Sequence, residues 1–178
     1  MTASQISRLP VLATTLLLLG VAPLTLAQDE KPTLVTRNRI QLNLAGAEII
    51  LKAAQEKAGA MKLKNNIAVV DDGGHLLAFA RMDGARPASG NTALTKAISA
   101  ATFRQESGPL PPQGEPNVLL SLSIQLASRG KITSLKGGVP ILIDGQVVGA
   151  VGVGGGTGEQ DAEVAKAGIE ALLKALAE

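Results

Sequence analysis

Between Ala47 and Met61 apolar residues recur at steps of three and four. Ala47, Ile50, Leu51, Ala54, Ala58 and Met61 share one side, while Lys52, Glu56 and Lys57 face away. That period is the signature of an amphipathic helix. Asn43 stands where its side chain can cap the first turn, and the helix is expected to end near Met61 to Lys64. The period then changes. Asn66 to Asp71 is a continuous aliphatic run of strand length, Asp72-Gly73-Gly74 has turn chemistry, and His75 to Met82 reads as a second strand. Two such runs about a tight turn form a hairpin.

A loop through Arg81-Met82-Asp83-Gly84-Ala85-Arg86-Pro87 leads to a second helix, with Ser89 or Asn91 as cap, running to about Glu106. Its predicted buried face is Leu94, Ala97, Ile98 and Ala101, whose alanines permit close approach to a sheet. Residues 107–117 hold four of the nine prolines and two glycines, so no regular element runs through them. Val118 to Ala127, apolar with interspersed Ser and Gln, reads as a short helix or turn ended by Arg129-Gly130. A second hairpin pairs Val139–Ile143 with Gln146–Val153 across Asp144-Gly145, a favoured two-residue turn. After the glycine-rich bend Gly152 to Gly158, Thr157 and Gln160 form a capping box for a last helix. Its buried face is Ala162, Ala165, Ile169, Leu172, Leu173 and Leu176. Hairpins, rather than alternating strand and helix units, predict an α+β domain with helices packed on an antiparallel sheet.

The first residues follow a different pattern. Arg8 gives a short positive region, Val11 to Leu19 is an apolar run of secretory length, and Thr25-Leu26-Ala27 is a small-x-small cleavage signal. Gly20 and Pro23 break the run before the roughly 20 residues a membrane span needs. Residues 1–27 are therefore expected to be a signal peptide, with export to the periplasm or beyond the cell. Residues 28–42 form a polar arm, and residues 43–178 a single domain. Losing Arg8 takes the formal charge from +2 to +1, too even a balance for a nucleic-acid partner.

Composition narrows the chemistry. The 178 residues are 46% hydrophobic but include only Phe79 and Phe103 as aromatics and no cysteine, which excludes disulfides, thiolate metal sites and cysteine nucleophiles. His75 is the only histidine, so no two-histidine zinc motif can be written, and without a G-x-S-x-G elbow a catalytic triad is not expected. Asp71 and Asp72 sit where a carboxylate commonly caps a turn. Arg81, Asp83 and Arg86 form either a solvated ion-pair cluster or a polar mouth that recognises carboxylates. The bend at Gly154, Gly155, Gly156 and Thr157 is either a tight passage from strand to helix or an anion-binding nest. It is not a dinucleotide fingerprint, because the third glycine of G-x-G-x-x-G falls on Thr157 or Glu159. A single imidazole, an apolar wall and a cation for propionates suffice to hold heme, with Met82 or Met61 as thioether donors.

These segments together resemble a known family. Val69-Val70-Asp71-Asp72-Gly73-Gly74-His75-Leu76, Arg81-Met82-Asp83-Gly84-Ala85, Lys96-Ala97, Gly137-Gly138-Val139-Pro140-Ile141, Val148-Gly149-Ala150-Val151-Gly152-Val153 and Gln160-Asp161 look like the GlcG/HbpS family of heme-binding proteins. That family is related to the C-terminal domain of PduO-type corrinoid adenosyltransferases. The likeness extends from about Leu44 to Leu173. It implies a profilin-like antiparallel sheet with helices on both faces and assembly into homo-oligomers. For some members it implies extracytoplasmic heme capture tied to iron or redox sensing, with a membrane sensor as partner. First-helix histidines used by some members have no counterpart here, so His75 is the expected axial or pocket-lining residue, with Met82 as a candidate thioether donor and Arg81 or Arg86 to neutralise the propionates. The reading is thus an exported heme-binding protein. The alternatives are an enzyme on small carboxylated or oxidised metabolites, built on Asp71, Asp72, Arg81 and the glycine bend, and a protein-interaction or signalling module.

Overall fold

The computed structural model describes residues 35–178, and Arg37–Glu178 forms one compact unit. The predicted signal peptide and the arm up to residue 34 lie outside the described residues. Helix α1 spans Leu44–Ala60, and the side chain of Asn43 accepts the Gly46 N–H at 2.9 Å. Strands β1 (Asn66–Asp71) and β2 (Leu76–Arg81) form the first hairpin, and β3 (Gly138–Ile143) and β4 (Gln146–Gly154) the second. All neighbours are antiparallel in the order β2-β1-β4-β3. Asp144 and Gly145 both adopt positive φ, 47° and 74°, as a two-residue turn matched to strand twist requires.

Helices cover both faces of this sheet, as an α+β domain demands. On one face α1 and α4 (Gly158–Leu176) enclose Ile50, Ile67, Val69, Ile141, Val151, Val153 and Val164. Burying each such side chain contributes about 1.5–3 kcal/mol, so this layer is the main core. On the other face α2 (Ala88–Phe103) packs over β1, β4 and β3 with small residues only, Ala93, Ala97, Ala100 and Ala101 against Ala68, Val70 and Ala150. A Cβ added at Gly152 would run into the Ala93 carbonyl, and one at Gly138 into that of Lys96. Backbone therefore meets backbone, and the alternation of Gly152 and Gly154 with Val151 and Val153 reflects two faces packed at different depths.

Three sequence expectations change. Pro87, not Ser89 or Asn91, occupies the N-cap of α2, without a side-chain hydrogen bond. Ser89 instead lies buried inside the helix, and the helix stops at Arg104, in the left-handed region at φ 57°. Leu173 and Leu176 are 44% and 62% exposed, so the buried face of α4 ends at Leu172. The arm ends docked: Ile40 and Leu42 pack against the α1/α4 core, and Arg39 pairs with Asp72. Helix α3 (Val118–Ala127), capped by Asn117, buries no residue and exposes Val118, Leu119 and Leu126 by 70% or more. Among the described residues no helix is long and apolar enough to cross a membrane.

Candidate functional site

The register of the first hairpin slips between Val69 and Val70, which pair with Ala78 and Leu76 respectively. The odd residue, Leu77, is a β-bulge, and its consequence is local but decisive. Strand side chains alternate between faces, so Leu76 and Phe79, three apart, would ordinarily face opposite ways. With the bulge, Leu76, Phe79 and Arg81 pair with Val70, Ala68 and Asn66 and share the α2 face, whereas Leu77, Ala78 and Met82 pack on the α1/α4 core. Because α2 sits over β1, β4 and β3, it leaves β2 uncovered on that face. Leu76 and Phe79 are accordingly 51% and 43% exposed. With Arg81 they form a shelf about 15 Å long, part of a groove of about 380 Å³ that also includes Asn66, Gly90 and Leu94. Asn66 is wholly buried, and its Oδ1 has no hydrogen-bond partner among the described residues while its Nδ2 donates to the Arg86 carbonyl at 3.0 Å.

His75 immediately precedes Leu76 at the turn before β2, and its ring lies against Asp71, which alternates with Val70 toward the α1/α4 side, so it is not among the residues lining the groove. Asp71 Oδ1 accepts the N–H groups of Gly73 at 2.9 Å and His75 at 2.8 Å, and Asp71 Oδ2 lies 3.1 Å from His75 Nδ1. A carboxylate accepts and cannot donate, so Nδ1 carries the proton and Nε2 of the neutral ring keeps its lone pair. The side chain is 81% exposed, leaving that nitrogen open to a ligand. Burial by itself would raise the Asp71 carboxyl, but the His75 backbone N–H, the imidazole and the Gly73 N–H together hold it below the ordinary aspartate value. With a depressed folded value, the stability from this turn is present above the ordinary aspartate range. It is lost as pH falls through the folded value.

The other predicted residues separate into different places. Met82 faces the core, on the opposite side of the sheet from Arg81. Arg86 lines a second cavity with Gly155 and Gly156. In the bend, Gly156 N–H donates to Asp161 Oδ1 and Thr157 N–H to Gln160 Oε1, both at 2.9 Å. The set named for the enzyme alternative does not converge: Asp71 and Asp72 lie at one end of β1, and Arg81 and Gly154 pair with Asn66 at its other end. Five residue steps of strand, about 17 Å, keep the two carboxylates from sharing one small substrate with the bend.

One constellation escaped the sequence as chemistry. Lys96 Nζ, on α2, donates to Asp161 Oδ2 at 2.7 Å and to the Val153 carbonyl at 2.8 Å, with the two side chains 6% and 1% exposed. Asp161 Oδ1 also accepts from Asn65 Nδ2 at 3.1 Å. The available signal was a lysine in the middle of an alanine-rich helix face. Among the described residues no group of three or more metal-ligating side chains gathers.

Comparison with known proteins follows the same outline. Residues 42–170 match the family model described as Haem degrading protein HbpS-like. The sequence is 41% identical to Protein GlcG of Escherichia coli (strain K12) over 117 residues, 66% of this chain and 84% of that protein. The crystal structure of an HbpS double mutant from Streptomyces reticuli superposes with a TM-score of 0.65 at 28% identity, covering 83% of this chain and 97% of the other. The PduOC:heme complex superposes with a TM-score of 0.64 at 25% identity, covering 74% and 95%.

Proposed function

The chain belongs to the HbpS-like family, and from that membership we propose that it is an exported heme-binding protein whose tetrapyrrole lies on the β2 shelf. The observation that carries this reading is the imidazole that Asp71 fixes at the turn where the uncovered apolar strip begins, at the open edge of the sheet. Asp71 holds His75 through Nδ1, Leu76 and Phe79 provide apolar surface, and Arg81 supplies a cation at the far end. The donor set suits heme. Neutral imidazole is a good iron ligand, a carboxylate behind it raises its basicity, and guanidinium matches a propionate. The heme complex formed by PduOC supports the assignment. Met82, turned into the core, is a packing residue in this arrangement. Bound heme supplies iron whose oxidation state can be read or changed, and the chain's part is to hold the imidazole and exclude water with Leu76, Phe79 and Leu94. Hemin titration followed by absorbance is the direct test.

Two parts of the proposal rest on other observations. Export follows from Arg8, the apolar run and Thr25-Leu26-Ala27. Protein recovered from its native host is expected to begin at or near Gln28 and to lie outside the cytoplasm, where iron capture or redox signalling through a membrane sensor would take place. An intact Met1 on soluble cytoplasmic protein would refute this. Self-association follows from the family and from α3, where Leu119, Leu122 and Leu126 are 73%, 49% and 70% exposed at helical spacing. An apolar stripe of this kind is covered in a stable assembly. Light scattering should give more than one chain per particle, and Leu119→Glu with Leu126→Glu should shift it toward the monomer. A monomeric wild type at micromolar concentration would count against it.

A further inference from the structure

We propose that the cavity between α2, the segment Ser134–Lys136 and the bend after β4 is a second ligand site, taking a small monocarboxylate that carries a hydroxyl or oxo group. The cavity measures about 630 Å³ and is separate from the β2 shelf. Three side chains in its wall have unspent hydrogen-bonding capacity. Lys96 is 94% buried there, and an ammonium has three N–H groups, of which Val153 and Asp161 accept two. Ser134, in the same wall, has its Oγ buried with no partner among the described residues. Arg86 pairs with no carboxylate of the described residues. Lys96 and the Ser134 hydroxyl are buried, and buried polar groups are rarely left unsatisfied without a reason; Arg86 is exposed in the lining of the same cavity.

Charge selects the ligand. Of the charged residues lining the cavity, Lys96 pairs with Asp161 and Lys136 with Glu159, which leaves Arg86 as a surplus of one positive charge. A monoanion completes that balance, whereas a phosphate dianion would press charge against two carboxylates. Arg86 offers the planar fork that carboxylates fit, and Ser134 with Lys96 can hold an adjacent hydroxyl or carbonyl oxygen. Gly155 and Gly156 contribute side-chain-free backbone surface, but the Gly156 and Thr157 amides are already donated within the protein. Recognition therefore falls to the side chains.

The test is calorimetric titration of the purified protein with lactate, pyruvate, acetate and inorganic phosphate. Lactate or pyruvate should saturate, and more tightly than acetate. Arg86→Gln should weaken binding about tenfold or more, since a charge-assisted hydrogen bond is worth about 1.5–3 kcal/mol. Ser134→Ala should erase the advantage over acetate while leaving the melting temperature unchanged, a pattern a merely structural hydroxyl would not give. Arg81→Gln should leave carboxylate binding intact, and Arg86→Gln should leave hemin binding intact, so the two sites fail independently. Absence of saturation by lactate and pyruvate up to about 10 mM, about ten times a weak dissociation constant of about 1 mM, would overturn the proposal. So would saturation by phosphate alone, or equal binding in Arg86→Gln.

Discussion

Hemin added to the purified protein is expected to give a sharpened Soret band, and His75→Ala is expected to lose it or to change the spin state of the iron. No second imidazole exists in the chain to replace it. The effect should be graded along the hydrogen-bond chain. Asp71→Asn keeps an acceptor near His75 Nδ1 but removes the charge behind the ring, and such a change in a ligand's supporting group typically costs about 10–100-fold in metal affinity. Arg81→Ala, at an exposed end of the shelf, should cost only about 1 kcal/mol, and less as salt is raised. Met82→Leu should leave the spectrum unchanged, because that side chain packs on the α1/α4 core. An unaltered spectrum in a folded His75→Ala variant would exclude ligation by His75, and a wild-type spectrum identical to that of free hemin would exclude the heme reading as a whole.

Much of the fold was readable from periodicity because each element carries its own local signal. The Asn43 cap, the Thr157/Gln160 box and the Asp144-Gly145 turn are short-range chemistry, and all three form as the residues predict. Tertiary context decided the rest. Ser89 and Asn91 looked like caps because their side chains can accept from a helix start, but Pro87 fixes the backbone two residues earlier. Leu173 and Leu176 continue the apolar composition of the stripe, but the buried face ends at Leu172. The site was harder still. His75 and Arg81 could be named individually, yet the bulge at Leu77 puts Leu76 rather than His75 on one face with Phe79 and Arg81, and Leu76-Leu77-Ala78 has no alternation from which a bulge can be seen. Nor does any sequence period reveal that α2 stops short of β2. Lys96 and Asp161 are 65 residues apart, so only the assembled layers bring them together.

That pair also makes the largest stability prediction. Lys96 comes from α2 on one face of the sheet, and Asp161 from α4 on the other, and they meet at the end of β4 beside the Val153 carbonyl. Both are nearly free of solvent. Removing one member leaves an uncompensated buried charge, which costs about 3–5 kcal/mol, against a total stability of about 5–15 kcal/mol for a domain. Lys96→Met should therefore lower the urea midpoint sharply, and Asp161→Asn should do the same, since its amide turns a donor toward the ammonium. Combining the two should cost clearly less than the sum, because the second substitution removes the charge the first left stranded. Lys57 and Glu163, a pair at 2.6 Å but with side chains 35% and 54% exposed, form the control: Lys57→Met should cost at most about 1 kcal/mol. If Lys96→Met proves no more harmful than Lys57→Met, then the buried pair does not hold α2 against the α4 layer. The close fit of Gly138 and Gly152 to the α2 backbone would then have to account for the docking alone.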